Sequence, residues 1–173
     1  MARRATLFID GNNWYHGLKG LGSVDLGRLD YRRLSLKLVG PRHWIGTRYY
    51  IGRVPQSGDV TLYAGQRRFL AKLEAEPRIS THLGRLEPRP VANPTARELR
   101  SYLANLRTKI DFRVDGDFTP AVEHVRSRGK RVYGVSASSG ARLAAAVNSS
   151  IRIREASWFA DCYDASVAAS DDG

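Results

Sequence analysis

Residues 5–10 read ATLFID, a nearly continuous apolar run cut off by an aspartate. Runs of this kind belong to strands buried on both faces, and such strands occur in parallel sheets whose crossover helices cover them. That requirement constrains the chain more than any other feature of it. Gly11, Asn12 and Asn13 follow at once and supply the turn chemistry that ends the strand. Trp14, Tyr15 and Leu18 then recur at helical spacing, and Asp30 is expected to cap a second helix carrying Tyr31, Leu34 and Leu38.

The same alternation continues. TRYYIG (47–52) reads as a strand, and QRRFLAKLEA (66–75) as a helix with Phe69, Leu70 and Leu73 on one face and Pro77 at its exit. RISTHLGRL (78–86) reads as a strand, and PTARELRSYLANLR (94–107) as a helix with a Thr95/Glu98 capping box and a stripe of Leu99, Tyr102, Leu103 and Leu106. IDFRV (110–114) is strand-like and ends on Asp115-Gly116-Asp117, as the first strand ends on Asp10-Gly11. Thr119, Pro120 and Gly129 delimit a further helix, KRVYGVS (130–136) is a strand, GARLAAAVNS (140–149) a helix and IRIR (151–154) a short extended run.

Strands alternating with helices predict an α/β fold, a mostly parallel central sheet with helices on both faces in three layers. At 173 residues one domain is expected, spanning 1–164, with the Ala-, Ser- and Asp-rich stretch 165–173 too poor in apolar surface to order. In such sheets ligands bind outside the carboxyl ends of the strands, where Asp10, Asp115 and Asp117 are expected. Either acidic turn alone is an ordinary Asp-Gly turn. Two at equivalent strand ends in one basic chain point to a site. Carboxylates gathered there repel one another, and Mg²⁺ is the natural cation to hold them, since it takes oxygen ligands, keeps waters and is completed by phosphate oxygens. Such an ion activates water for in-line attack on phosphorus without a covalent enzyme nucleophile.

LFIDGNNWYHGL (7–18) and DGDFTPAVEHVRSRGKRVYGVS (115–136) together resemble the NYN domain, the LabA-like branch of the PIN-like nuclease superfamily. The resemblance extends over about the first 20 residues and over 115–160, with the middle matching by pattern only. It implies a three-layer, Rossmann-like fold and a metal-dependent endoribonuclease. Asp10, Asp115 and Asp117 would hold Mg²⁺ or Mn²⁺, Asn12 would position phosphate or water, and Thr119 would contact the ligand or cap its helix. The chain also departs from the pattern. Relatives carry a further strand and a long helix with a K-x-V-D motif before the D-G-D turn, whereas only TKIDFRV stands here, with Lys109 and Asp111 as a remnant, and Arg113-Val114 in place of Ser-Gly. A shortened relative or a missing internal segment would each produce this. Real shortening would weaken the metal site and favour a non-catalytic RNA-binding or scaffold protein on a degenerate nuclease fold.

The chain carries 28 Lys and Arg against 17 Asp and Glu, a net charge of +11, so nucleic acid is the first expected partner. Residues 31–58 contain six Lys or Arg and no acid, and Arg48 and Tyr49 are the RNA contacts expected there. Arg126, Arg128, Lys130 and Arg131 form a second basic group, which could bind RNA or complement the dipole of the preceding helix. The lone Cys162 excludes an internal disulfide and fits a reducing, cytoplasmic location, where it reads as a packed small hydrophobe. No apolar run reaches membrane-spanning length. Self-association as a homodimer stays open. Asn at position 12 argues against a phospho-aspartyl enzyme, and the absence of G-x-G-x-x-G after the first strand argues against a dinucleotide-binding domain.

Overall fold

The computed structural model describes residues 3–54, 56, 59–85, 119–137 and 141–164. The expected helix at 94–107, the strand at 110–114, the D-G-D turn and the tail from 165 lie outside the described residues. Strand β1 (Arg4–Asp10) leads into helices α1 (Gly11–Gly20) and α2 (Tyr31–Val39), then β2 (His43–Arg53), α3 (Val60–Glu74) and β3 (Ile79–Arg85). Further along the chain come α4 (Thr119–Ser127), β4 (Tyr133–Ser136), α5 (Ala141–Ala146), β5 (Ser149–Arg152) and a 3-10 helix, Ala156–Cys162. The protein is a mixed α/β structure with parallel sheets. β1, β2 and β3 pair in that order, all parallel, and β4 pairs with β5, also parallel.

An aspartate starts each of the first three helices. Asp10 accepts from the Asn13 amide, Asp30 from Arg32 and Arg33, and Asp59 from Thr61 and Leu62. Each caps amides that the helix leaves without partners. α3 begins six residues before the expected Gln66, because Asp59 caps it. The β-branched residues and glycine of VTLYAG concealed those turns, their low helix propensity being offset by the Asp59 cap.

Successive side chains of β1 fall on opposite faces. Ile9 is buried at 6% exposure, whereas Phe8 is 60% exposed, so β1 is not buried on both faces as its apolar run led us to expect. α1, α2 and α3 pack on the face that carries Ile9, Tyr49 and Ile79. Tyr31 of α2, Tyr49 of β2 and Phe69 of α3 meet there edge to face, with centroids 5.5–5.6 Å apart. Burial pushes the Tyr31 hydroxyl up to about 12. The same core takes Ile153 after β5 and, at its margin, Val135 and Ala137 from the end of β4.

The 3-10 helix, which sequence reading did not anticipate, closes this core. Phe159 is fully buried against Trp14, ring centroids 6.0 Å apart, and the Cys162 carbonyl accepts from the Asp30 amide at 2.8 Å. Lys37 of α2 donates to the Trp158 carbonyl and the Asp161 carboxylate, and its ammonium lies 4.2 Å from the Trp158 ring centroid. Cys162 is packed as expected, at 1% exposure, and desolvation, aided by the Asp161 carboxylate, pushes its thiol up to about 11. Iodoacetamide at neutral pH is therefore expected to label Cys162 at a rate that rises with denaturant as the fold opens. Rapid labelling of the native protein would refute this packing.

A buried polar chain fixes α2 to β2. Ser35 Oγ donates to the Tyr31 carbonyl at 2.7 Å and lies 2.7 Å from Thr47 Oγ1, which also accepts from Trp44 Nε1 at 3.1 Å. Thr47→Val keeps the side chain's shape and leaves the indole N–H without its acceptor. We expect a loss of about 1–3 kcal/mol in urea unfolding, and an unchanged midpoint would refute the network's role.

Candidate active site and basic surface

The carboxyl edge of the three-stranded sheet is built by the ends of β1, β2 and β3, with Asp10 opposite Tyr50 and Tyr50 opposite His82 in register. β1 passes directly into α1 at Asp10, so the turn expected at Gly11-Asn12-Asn13 is instead the first turn of a helix. One reason this junction is so tight lies beneath it. A Cβ at Gly11 would stand 2.4 Å from a ring carbon of Tyr49 and 2.9 Å from the Tyr50 carbonyl oxygen. Only glycine fits there without movement of the core.

Asp10 is half-buried, and Asn13 holds its carboxylate at both oxygens. The amide of Asn13 donates to Oδ1 at 3.2 Å and its side-chain Nδ2 to Oδ2 at 2.8 Å. The carboxylate is thus an oriented anion at the end of a parallel strand and at the positive end of a helix dipole. Asn12, in the first turn of α1, is also half-buried. Asp111, Asp115 and Asp117 lie outside the described residues, as does the side chain of Thr119, the first residue of α4. Among the described residues, no three His, Cys, Asp or Glu side chains gather closely enough to hold a metal ion. Asp10 is the candidate ligand that the described residues contain.

Tyr49, expected as an RNA contact, is corrected by the structure. It is 2% exposed, its ring lies under Gly11, and desolvation drives its hydroxyl far above the ordinary range. Strand alternation sends Tyr49 inward and its neighbours Arg48 and Tyr50 the other way. On that opposite face a ladder of rings crosses the sheet, which sequence reading missed. Phe8 and Tyr50 stack at 6.5 Å, Tyr50 and His82 at 4.6 Å, and the Arg48 guanidinium stands 6.0 Å from the Phe8 ring. The signal was available in the parity of β1 and β2.

The second basic group does assemble. α4 ends in a Schellman turn, with Gly129 at φ 70°, its amide donating to the Arg126 carbonyl at 2.9 Å and that of Lys130 to the Val125 carbonyl at 3.4 Å. The turn points Arg126, Lys130 and Arg131 around a hollow of about 420 Å³, with Glu123, Gly129 and Asn148 completing its wall. Arg126 Nη1 donates to the Ala146 carbonyl at 2.6 Å, which satisfies the last residue of α5 rather than the end of its own helix. Arg128 is exposed but does not line the hollow. Beside it, Arg131 and Arg42 flank Tyr133, which is 44% exposed. The Arg42 guanidinium lies 4.6 Å from the ring centroid, and hydrogen bonds from Arg131 first and Arg42 second hold the phenol below its ordinary range.

Among the described residues, no helix is long and apolar enough to cross a membrane. No protein-family model and no curated protein matches the chain. Among solved structures, it is similar to a Vibrio parahaemolyticus protein of unknown function, with a TM-score of 0.54 and 17% sequence identity, covering 90% of this chain and 95% of that one. At that identity the likeness speaks for a shared α/β fold.

Proposed function

We propose that the protein is a metal-dependent endoribonuclease of the NYN type, with a three-layer PIN-like architecture, acting on RNA in the cytoplasm. The observation that carries this reading is Asp10, an oriented carboxylate at the carboxyl end of a parallel strand, the place where sites form in such sheets. In the proposed site Asp10, Asp115 and Asp117 are direct or water-mediated ligands of Mg²⁺ or Mn²⁺, and Asn12 positions phosphate or water. The bound ion supplies a Lewis acid and an activated water. The chain's own contribution is to fix Asp10 through Asn13, to seat it beside a core that Gly11 allows to close, and to attract RNA with a net charge of +11.

The test is incubation of the purified protein with end-labelled single-stranded RNA in Mg²⁺ or Mn²⁺, with EDTA as control. Internal cleavage that EDTA abolishes is the expected result. Salt-sensitive binding without cleavage in either metal would replace the proposal with a non-catalytic RNA-binding protein on the same fold.

A further inference from the structure

Arg42 immediately precedes β2, and Tyr133 is the first residue of β4, so their contact lies at the amino edge of the strands. His43 pairs with Arg4, the first residue of β1, whereas Asp10 is its last. The seven residues of β1 run from this edge to Asp10, so six residue steps, about 20 Å at the rise of a parallel strand, separate the two. The basic hollow belongs to the same edge. Its wall comes from the end of α4, the turn into β4 and Asn148, which is held by reciprocal bonds with Val132, its amide donating to the Val132 carbonyl and its Oδ1 accepting from the Val132 amide, both at 2.8 Å.

We propose that Arg42, Lys130 and Arg131, arranged about Tyr133 and the hollow, form a second contact for the phosphate backbone of single-stranded RNA, remote from the acidic edge. The inference takes its ligand from the ribonuclease reading but not its chemistry. Three features select a polyanion with stacking bases. Arg126, Lys130 and Arg131 outnumber the carboxylate of Glu123 on the wall of the hollow. The hollow, about 420 Å³, falls within the range of about 300–1,000 Å³ usual for ligand pockets. Tyr133 stays 44% exposed although two guanidiniums hold it in place, so its ring remains available for a base to stack on. Arg126 is left out of the test because its bond to the Ala146 carbonyl gives it a structural task; Arg42 also donates to the Val39 carbonyl at 3.0 Å, so the melting comparison reports whether its replacement disturbs the end of α2.

The experiment compares Asp10→Asn, used to stop turnover, with the same protein also carrying Arg42→Gln, Lys130→Gln and Arg131→Gln. Fluorescence anisotropy of labelled 15-nucleotide single-stranded RNA, a length taken from the upper range of about 4–16 nucleotides per single-strand binding site, is recorded across a salt series. Circular dichroism melting checks that both variants fold. Losing three phosphate contacts is expected to lower the slope of log K against log salt by about 2, at about 0.7 per contact. An unchanged slope and affinity would overturn the amino-edge contact and leave the ribonuclease reading standing. Tighter binding of polyglutamate than of RNA would also overturn it. The converse separation holds as well, because a falling slope in a protein that never cleaves RNA supports this contact and defeats the nuclease.

Discussion

Asp10→Asn is expected to abolish metal-dependent RNA cleavage while leaving the fold intact. Loss of outer-shell partners alone costs roughly 10–100-fold in metal sites, so loss of a ligand's charge should cost on the order of 100-fold or more. Stability should change far less. Asp10 is also the N-cap of α1, and asparagine caps a helix about as well as aspartate. The thermal midpoint should therefore move by no more than about 2–4 °C, the shift expected for about 1 kcal/mol in a protein of this size. Asp10→Ala removes both roles and should add the loss of the cap, about 1 kcal/mol, to the same loss of cleavage. Cleavage that persists in Asp10→Asn at the parental rate would reduce Asp10 to a capping residue.

Gly11→Ala is expected to destabilise the protein even though the same exchange within a helix usually stabilises by roughly 0.5–1 kcal/mol. Here the added methyl meets the Tyr49 ring at 2.4 and 2.8 Å and the backbone oxygen of Tyr50 at 2.9 Å. Tyr49 is locked by Tyr31 and Phe69 and cannot swing aside. Overpacking of this kind costs about 1–3 kcal/mol, occasionally more. Gly65, inside α3, is the matched control, since a Cβ there has no heavy atom within 4 Å. Gly65→Ala should raise the melting midpoint and Gly11→Ala should lower it. Because Gly11 adjoins Asp10, the destabilised variant should also lose cleavage. Equal shifts of the same sign would show that the Tyr49 ring does not hold the junction.

The elements read most easily from sequence were those whose signal is local. Asp30 followed by Tyr31, Leu34 and Leu38, and Pro120 with Gly129, delimit helices close to where α2 and α4 lie. The 3-10 helix carries no periodic pattern, and its contribution through Phe159 and Cys162 depends on partners in α1 and α2 that are distant in sequence. Tyr49 and Tyr50 differ by one residue and by one face of the sheet, and composition cannot tell which of them turns inward. The site divides in the same way. Asp10 at a strand end was legible from the break in the apolar run. The tyrosine ring that makes Gly11 necessary comes from another strand and could not be read. The basic residues near Gly129 were legible as a group, but their company with Arg42 and Tyr133 arises only because the start of β4 meets the residue before β2 in the folded chain.

The central claim is that acids from distant parts of the chain converge with Asp10 on one divalent ion. Anomalous diffraction from a crystal soaked in Mn²⁺ tests it most directly. A manganese peak bound by the carboxylates of Asp10, Asp115 and Asp117, directly or through one water, is the expected result. Asp10 bound only to Asn13, with Asp115 and Asp117 out of reach and no manganese beside any of the three, would contradict it.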